Sequence, residues 1–417
     1  MMPRPALHHI VRIRTSEDLT YMNPALMDEV MVNANLLEHC PDSTASALRL
    51  TTLPYSIDPV LTRFQMPEWW RNEKGETKRN YARLGAAYVQ GTSVRLASGP
   101  MLETVPNDDE WRRIAANVIA YQRERLVQIN PQLELFHEEL RPVRLLAPGL
   151  VAFTTDEDRV NRILAEAATQ AAGREVGLPV IVPPHRLGDA ASLAQLLQAV
   201  PTEGISAYFL WTPEISESRL LEDRELLLAV SRLISTLANR GVPVGHLHGG
   251  YLVSALHDIG ISAVVHHLGW VDRGEPAHQT GGGPRSCQTY VPGIRRTIRF
   301  DRAELLGRDL AGVVFTERYC WCNFCTGAFE AGQHPLDLLL ESQTITDKRG
   351  RQRLTPTGRA TTLNTFHYLH ARRQEIDAFS RNAATDVVQQ DIERASALAG
   401  QPESERLKRI VSGIGSR

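Results

Sequence analysis

The chain lacks the features that mark several large classes of protein. No apolar run approaches the roughly 18 residues that a membrane-spanning helix needs, and the first residues have no apolar core of a secretory signal. Neither sign of charge is in excess, because 46 lysines and arginines face 48 aspartates and glutamates. No G-x-G-x-x-G or G-x-x-x-x-G-K-[ST] motif follows a predicted strand. The sequence therefore predicts a cytoplasmic protein without a dinucleotide or P-loop site and without a general attraction for nucleic acid.

Lysine and cysteine are both scarce. Only four of the 46 basic residues are lysines, so nearly all positive charge is carried by arginine, whose planar fork suits phosphate groups. A GC-rich genome also produces this bias, and any nucleic-acid surface must be a local patch. Of the five cysteines, Cys40 and Cys287 are isolated, and the other three lie within residues 320–325. An odd, clustered count argues against a disulfide framework and favours a metal site in a reducing compartment.

Short apolar runs alternate with turns and longer amphipathic stretches before residue 300, which is typical of a parallel α/β fold. The predicted strands lie near 9–13 and at 31–37, 52–58, 143–153, 178–183, 207–212, 242–247 and 262–268. The predicted helices between them lie at 111–128, 156–172, 190–199, 220–239 and 251–259. Eight βα units favour a (β/α)8 TIM barrel, with a doubly wound sheet as the alternative.

A metal-binding pattern follows these units. Cys320, Cys322 and Cys325 form a C-x-C-x-x-C motif, whose thiolates can converge on one ion. Tetrahedral zinc requires a fourth ligand. The downstream histidines are His334, His367 and His370. Redox-active cysteines without a metal are an alternative, whereas an iron–sulfur cluster lacks a fourth nearby cysteine. A catalytic zinc is disfavoured, because three thiolates and a histidine leave no open position for water.

The cysteine motif and a later segment together resemble a known zinc signature. The motif is followed by LNTFH at 363–367, and the pair resembles the signature of tRNA-guanine transglycosylases. In that family three cysteines and the histidine of an L-N-T-[IV]-H segment hold a structural zinc after the last strand of a TIM barrel. The resemblance implies a structural Zn²⁺ bound by Cys320, Cys322, Cys325 and His367.

Other parts of the chain resemble the same family in the same order. Residues 32–37 (VNANLL) resemble its early asparagine-bearing strand, and 56–58 (SID) with 64–65 (FQ) stand where the family has D-S-G-G-F-Q. Residues 244–250 (VGHLHGG) resemble its glycine-rich strand end, and 260–265 (GISAVV) its G-I-D-M-F-D strand. The resemblance covers most of residues 30–375. Together with the count of strands and the change of pattern after residue 300, it predicts a TIM-barrel transglycosylase domain at 1–312, a zinc-binding subdomain at 313–380 and a helical C-terminal tail at 381–417.

The chain also departs from the pattern of the tRNA enzymes. The paired glycines of D-S-G-G-F-Q are absent, Val265 stands where the nucleophilic aspartate aligns, and no P-T-R motif follows that strand. The segment from Cys325 to His367 is longer than in the tRNA enzymes. These departures resemble the DNA-modifying (DpdA-like) branch, which exchanges guanine in DNA for a 7-deazaguanine base such as preQ0. The alternatives are a tRNA-guanine transglycosylase and a catalytically inactive nucleic-acid-binding paralogue.

Two carboxylates suffice in principle for base exchange at a sugar carbon, one as nucleophile and one for proton transfer. In a TIM barrel both belong at the carboxyl ends of strands. The resemblance implies a nucleophile after the last strand, and Asp272 is the nearest carboxylate there, so we expect Asp272 to be the nucleophile. We expect Asp58 to transfer the proton, with its pKa raised by partial burial. Their ordinary alternatives are a turn cap at Asp58 and a surface ion pair at Asp272. The reserve candidates near the last strand are His266, His267 and Glu275.

Further residues are candidates for contacting the substrate. Those placed to read a base are His185, Trp211, Glu214, His248, Gly249 and Gly250. Those placed to bind phosphates are Arg285, Arg295, Arg296, Lys348, Arg349 and Arg351. A base inside duplex DNA must be flipped out before it can react. The expected partners are DNA, or tRNA in the alternative, a 7-deazaguanine base, and other proteins of a DNA-modification system.

Overall fold

A computed structural model describes residues 6–65, 70–72, 74–94, 106–129, 141–268, 287–346 and 350–414. The strands are β1 His8–Ile13, β2 Glu29–Asn33, β3 Tyr55–Asp58, β4 Val176–Ile181, β5 Ile205–Trp211, β6 Val244–Leu247, β7 Ile261–His267, β8 Gln288–Val291, β9 Arg296–Arg299, β10 Ser342–Thr346 and β11 Gln352–Pro356. Strands β1 to β7 form one parallel sheet in the order β3-β2-β1-β7-β6-β5-β4. The predicted α/β class with a parallel sheet is confirmed.

The helices alternate with these strands and continue after them. They are α1 Ala34–His39, α2 Pro41–Thr51, α3 Arg79–Tyr88, α4 Asp108–Ile129, α5 Thr155–Ala172, α6 Pro184–Leu187, α7 Ala190–Ala199, α8 Glu217–Glu222, α9 Arg224–Ala238, α10 Tyr251–Ala255, α11 Phe300–Gly307, α12 Gly312–Arg318, α13 Asn323–Glu330, α14 Pro335–Leu339, α15 Gly358–Arg381, α16 Ala384–Ala399 and α17 Gln401–Ile414. No helix of the described residues is long and apolar enough to cross a membrane.

Two predicted elements differ from the structure: one strand ends earlier than predicted, and one helix is divided into two. The predicted strand at 31–37 is wrong beyond Asn33, which is extended and is the N-cap residue of α1. The leucines that follow are buried on that helix instead of continuing the strand. The predicted helix at 220–239 divides into α8 and α9 at Asp223, whose side chain accepts a hydrogen bond from the Leu226 N–H at 3.0 Å. Side-chain caps of this kind stop one helix and start the next.

The strand order places β3 and β4 at the two edges of the sheet. A doubly wound sheet returns to its centre after β3, whereas here β4 lies at the opposite edge. The segment at 143–147 contacts both edges through parallel bridges from Ser56 to Arg144 and from Leu146 to Gly177. The backbone N–H of Ala147 also donates to the Gly177 carbonyl at 2.8 Å. The predicted strand at 143–153 is therefore present only as these bridges.

Alternation along the strands determines which side chains share a face. Ile10, Met31, Phe209, Leu247 and Val265 pack together in one apolar cluster, and we call the face that carries them the inner face. The opposite face packs against the helices in a second, larger cluster. Because side chains alternate along a strand, the residue two positions further on returns to the same face. Position 12 of β1, position 33 of β2 and position 267 of β7 therefore lie on the inner face, beyond its apolar cluster.

The C-terminal helices are attached to the sheet through α15. At one end of this helix, the Leu7 N–H donates to Ser380 Oγ at 2.9 Å. A buried ion network then links α15 to α16, because Arg295 bonds Glu375 at 2.7 Å and Asp391 at 2.8 Å. The Arg295 side chain is only 2% exposed. A network of fully paired buried charges holds these elements in one arrangement.

Candidate metal centre and carboxyl-edge cluster

The three cysteines and His367 meet in the interior, although they come from separate elements. Cys322 is the N-cap residue of α13, Cys325 lies in its first turn, and His367 lies on α15. His367 Nδ1 is 3.8 Å from the sulfur of Cys320, 3.3 Å from that of Cys322 and 3.5 Å from that of Cys325. All four ligand atoms lie within 4.8 Å of one another, and all four residues are buried. This set can hold a metal ion.

The surroundings of His367 fit a metal ligand. Its Nε2–H donates to the Tyr290 carbonyl at 2.8 Å, which leaves the Nδ1 lone pair facing the thiols. Metal-bound histidines are oriented by a second hydrogen bond of this kind. His334 instead caps α14 through its Nδ1, and His370 is not among the four clustered residues. The choice of His367 as the fourth residue agrees with this geometry.

Of the three thiols, Cys322 favours the charged form that metal ligands adopt, whereas burial raises the pKa of Cys320 and Cys325. Burial alone would raise the pKa of the Cys322 thiol, but hydrogen bonds from Cys320 and Cys325 hold it well below its ordinary value. The thiolate is the form of cysteine that binds metals. A hard oxygen-preferring ion such as Mg²⁺ does not suit three sulfurs and one imidazole, whereas a soft or borderline ion does.

A second group of polar side chains lies where β1, β2, β3, β6 and β7 end. We call Arg12, Asn33, Asp58, His248 and His267 the carboxyl-edge cluster. The Arg12 guanidinium bonds three of them: it forms an ion pair with Asp58, its Nε–H donates to Asn33 Oδ1 at 3.0 Å, and its Nη1–H donates to His248 Nε2 at 2.9 Å. The parallel register creates this meeting, because Asn33 stands opposite Asp58 and Arg12 opposite His267.

The two histidines of this cluster bond each other. His248 Nδ1 and His267 Nε2 are 2.8 Å apart, and the ring of Trp211 lies 5.2 Å from that of His248. His248 follows β6 with φ of 63°, a left-handed conformation that turns the chain at this point. Burial, assisted by the positive charge of Arg12, holds the pKa of His248 well below its ordinary value. Burial likewise lowers the pKa of His267, so both rings are neutral at physiological pH.

Asp58 lies at the end of β3, as predicted, but in a setting unlike the one expected for it. Its Oδ2 is paired with Arg12, and its Oδ1 accepts a hydrogen bond from the Val60 N–H at 2.9 Å. A guanidinium partner favours the ionised carboxylate and opposes the effect of burial. Asp272 and Glu275 lie outside the described residues.

The residues predicted to read a base fall into two groups. Trp211 and His248 lie beside the carboxyl-edge cluster. His185 is exposed, and its Nε2 bonds the Phe153 carbonyl at 3.1 Å, while Glu214 is exposed with φ of 65°. Gly249 is required by packing, because a Cβ there would lie 2.9 Å from Val264 Cγ1. Gly250 is the buried N-cap residue of α10.

The residues predicted to bind phosphates differ in their surroundings. Arg295 is buried in the ion network described above, so it does not reach a phosphate backbone at the surface. Arg296 is half-exposed and bonds Glu403 at 3.2 Å, and Arg351 is exposed beside β11. Three others lie outside the described residues, namely Arg285, Lys348 and Arg349. Of the described residues of this set, Arg295 is therefore excluded from a phosphate-binding surface, and Arg296 already has an acidic partner.

Arg12 is the residue of the carboxyl-edge cluster that sequence reasoning missed, and Asn33 was noted only within the segment 32–37, without a role. Both stand at the ends of apolar strands, and an arginine inside the run HHIVRI was the available signal. Of the reserve candidates, His267 belongs to the carboxyl-edge cluster. His266 lies on the opposite face, where its Nε2 is 2.6 Å from His9 Nε2.

Stability should depend on pH through histidines buried away from the cluster. Burial lowers the pKa of His246 to about 4, against 6.5 when unfolded. The folded chain thus binds fewer protons below pH 6.5, and stability is lost as the pH falls from there towards 4. Through this histidine, the free energy of unfolding should fall by about 2 kcal/mol between pH 7 and pH 5. Urea unfolding at both pH values checks this. Between pH 7 and pH 5, the free energy of unfolding of His246→Asn should fall by about 2 kcal/mol less than that of the wild type. An unchanged difference would show that His246 is protonated in the folded chain.

Comparison with known proteins does not add a relative. No protein-family model matches the chain, and no curated protein matches it. The function is therefore argued from the two sites and from the resemblance of motifs.

Proposed function

We propose that the sheet is a closed (β/α)8 barrel in which the segment at 143–147 is the eighth strand. Its bridges to Ser56 and Gly177 join the two edge strands of the seven-stranded sheet. With this segment included, consecutive strands are neighbours all the way round, which is the arrangement of a TIM barrel. The carboxyl-edge cluster then lies at the end of the barrel where active sites of this fold occur.

The metal at the four-residue site is, in this proposal, a structural zinc. Three thiolates and one imidazole complete a tetrahedral shell, which leaves no position for a reacting water. The ion would link the start of α13 to α15 and, through the bond from His367 to the Tyr290 carbonyl, to β8. Its role is to hold these elements on the sheet.

The proposed reaction is the exchange of guanine in DNA for a 7-deazaguanine base. The observation that carries the proposal is a carboxylate, Asp58, paired with Arg12 at the strand ends beside neutral histidines, in a chain that also carries the Cys3His cluster. In the first half of the reaction, the Asp272 carboxylate forms a bond to C1′ as the bond from C1′ to the guanine nitrogen breaks. In the second half, the nitrogen of the incoming base displaces Asp272. Asp58 accepts the proton that this nitrogen loses and releases it to water, and the departing guanine takes its proton from water.

DNA is preferred to tRNA in this proposal because the P-T-R motif used by the tRNA enzymes is missing. One observation favours an inactive nucleic-acid-binding protein instead. Strand β7 carries no carboxylate, and Val265 faces the apolar cluster of the inner face. Asp272 must therefore supply the nucleophile from beyond the strand, and its contribution decides between the two functions.

Incubation of the purified chain with DNA or tRNA and labelled guanine tests the proposal. We expect label in DNA, without a nucleotide triphosphate or redox cofactor, and subsequent replacement of the label by unlabelled preQ0. Label in tRNA alone would show that the substrate is tRNA and not DNA. Label in neither nucleic acid would favour the inactive protein. Digestion to nucleosides followed by mass analysis identifies the base in each case.

A further inference from the structure

Three hydrogen-bond donors beside the carboxyl-edge cluster have no partner among the described residues. They are Asn33 Nδ2, Trp211 Nε1 and His267 Nδ1. Asn33 is 0% exposed and His267 is 2% exposed. Buried donors in folded proteins are almost always bonded, so each exception requires an explanation. Three such donors lie at the ends of β2, β5 and β7 on one face of the sheet, where a single ligand that supplies acceptors would satisfy them.

The assignment of donors follows from the bonds of the cluster. Arginine can only donate, so the bond from Arg12 requires a lone pair on His248 Nε2. A neutral His248 then carries its proton on Nδ1 and donates it to His267 Nε2. A neutral His267 must in turn carry its proton on Nδ1, the atom without a partner. Arg12 therefore determines, through His248, that His267 presents an N–H group.

The residues that carry the three donors share the inner face of the sheet with its apolar cluster. Trp211 packs against the cluster that contains Phe209, Leu247 and Val265, and the three residues lie on the inner face of their strands. An apolar surface with donors at its rim suits a flat heterocycle that carries acceptor atoms. The carboxylate of Asp58 lies on the same side and can accept from the N–H groups of such a ring.

We propose that the Nδ1–H of His267 is the donor that selects a base with a ring carbonyl, and that Arg12 is the positioning residue that fixes this donor. The inference rests on the proposed function, and it names the chemical feature that the site reads. Guanine and the 7-deazaguanines share the carbonyl at position 6. 2-Aminopurine has the ring and amino group of guanine without that carbonyl.

Calorimetric titration of the full chain with guanine and with 2-aminopurine tests the inference. The wild type should bind guanine about 10- to 100-fold more tightly, because 2-aminopurine leaves the buried donor unpaired. His267→Asn keeps an amide N–H near the position of Nδ1 and should retain most of this ratio. His267→Gln places its amide near the position of Nε2 instead and should bring the ratio close to one. Arg12→Lys should also bring the ratio close to one, since an ammonium does not reproduce the fork that bonds Asp58 and His248 together.

His246→Asn is the matched control, since His246 is also buried but lies on the outward face of β6. It should keep the wild-type ratio, and circular dichroism should show every variant to be folded. The inference would be overturned if the ratio of the two affinities were the same in the wild type, His267→Gln and Arg12→Lys. It would also be overturned if the wild type bound neither base. Exchange activity measured in parallel separates the two proposals. Exchange with an unaltered ratio overturns only the role of His267, whereas selective binding without exchange overturns only the reaction.

Discussion

Cys322→Ala is expected to lose the bound metal and to destabilise the chain severely. The wild type should contain about one zinc per chain, and the variant close to none. Two sulfurs and an imidazole cannot complete the tetrahedral shell, and the binding energy of a structural zinc contributes directly to folding. We expect the free energy of unfolding to fall by several kcal/mol, because three buried polar side chains then remain without their common partner.

Metal analysis and thermal unfolding measured on the same samples check this expectation. Cys287→Ala is the matched control, because Cys287 lies outside the cluster of four. It should keep both the zinc and the melting temperature. His367→Ala should behave like Cys322→Ala. Full zinc content and wild-type stability in both ligand variants would show that the four residues do not bind a structural metal.

Asp58→Asn is expected to reduce base exchange by about 10²- to 10⁴-fold. An amide cannot accept the proton of the incoming base, and proton transfer of this kind is the role assigned to Asp58. The variant also leaves the buried Arg12 without its ionic partner, which lowers stability. Exchange must therefore be measured below the unfolding temperature, with circular dichroism on the same sample.

Asp58→Glu separates the two effects. It keeps the negative charge beside Arg12 but displaces the carboxylate, so it should be more stable than Asp58→Asn while exchange remains low. In both variants, turnover should fall more than the formation of the covalent adduct with DNA, because the nucleophile is a different residue. Wild-type exchange in Asp58→Asn would transfer the proton-transfer role to another group of the carboxyl-edge cluster.

Local patterns predicted much of the fold. The apolar runs of β3, β5 and β7 and the helix Ala190–Ala199 follow from periodicity, because each element buries one face regardless of its neighbours. The break at Asp223 and the start of α1 at Asn33 depend on single caps inside longer apolar patterns, and the periodicity did not reveal them.

The two sites differ in how far the sequence reveals them. Three ligands of the metal centre lie within six residues, so spacing alone predicted them. Arg12, Asp58 and His267 come together through the register of parallel strands far apart in the chain. That register is a property of the assembled sheet, and no local pattern encodes it.

Arginine shows the limit of reading function from residue type. Arg295 and Arg351 have the same side chain, and the sequence predicted phosphate binding for both. Arg295 is buried between Glu375 and Asp391, whereas Arg351 is exposed beside β11. Burial depends on helices α15 and α16, whose carboxylates lie about 80 to 96 positions further along the chain.

The covalent intermediate provides the most direct test of the proposed exchange. Wild-type chain incubated with guanine-containing DNA should be denatured and its mass measured before the second base is added. The account predicts a species with the mass of one chain joined to one DNA strand that has lost a guanine. The species should disappear on addition of preQ0 and should be absent from Asp272→Asn, which should retain its fold and its zinc. An adduct formed equally by Asp272→Asn, or no adduct in a wild type that exchanges bases, would contradict the glycosyl-aspartate mechanism.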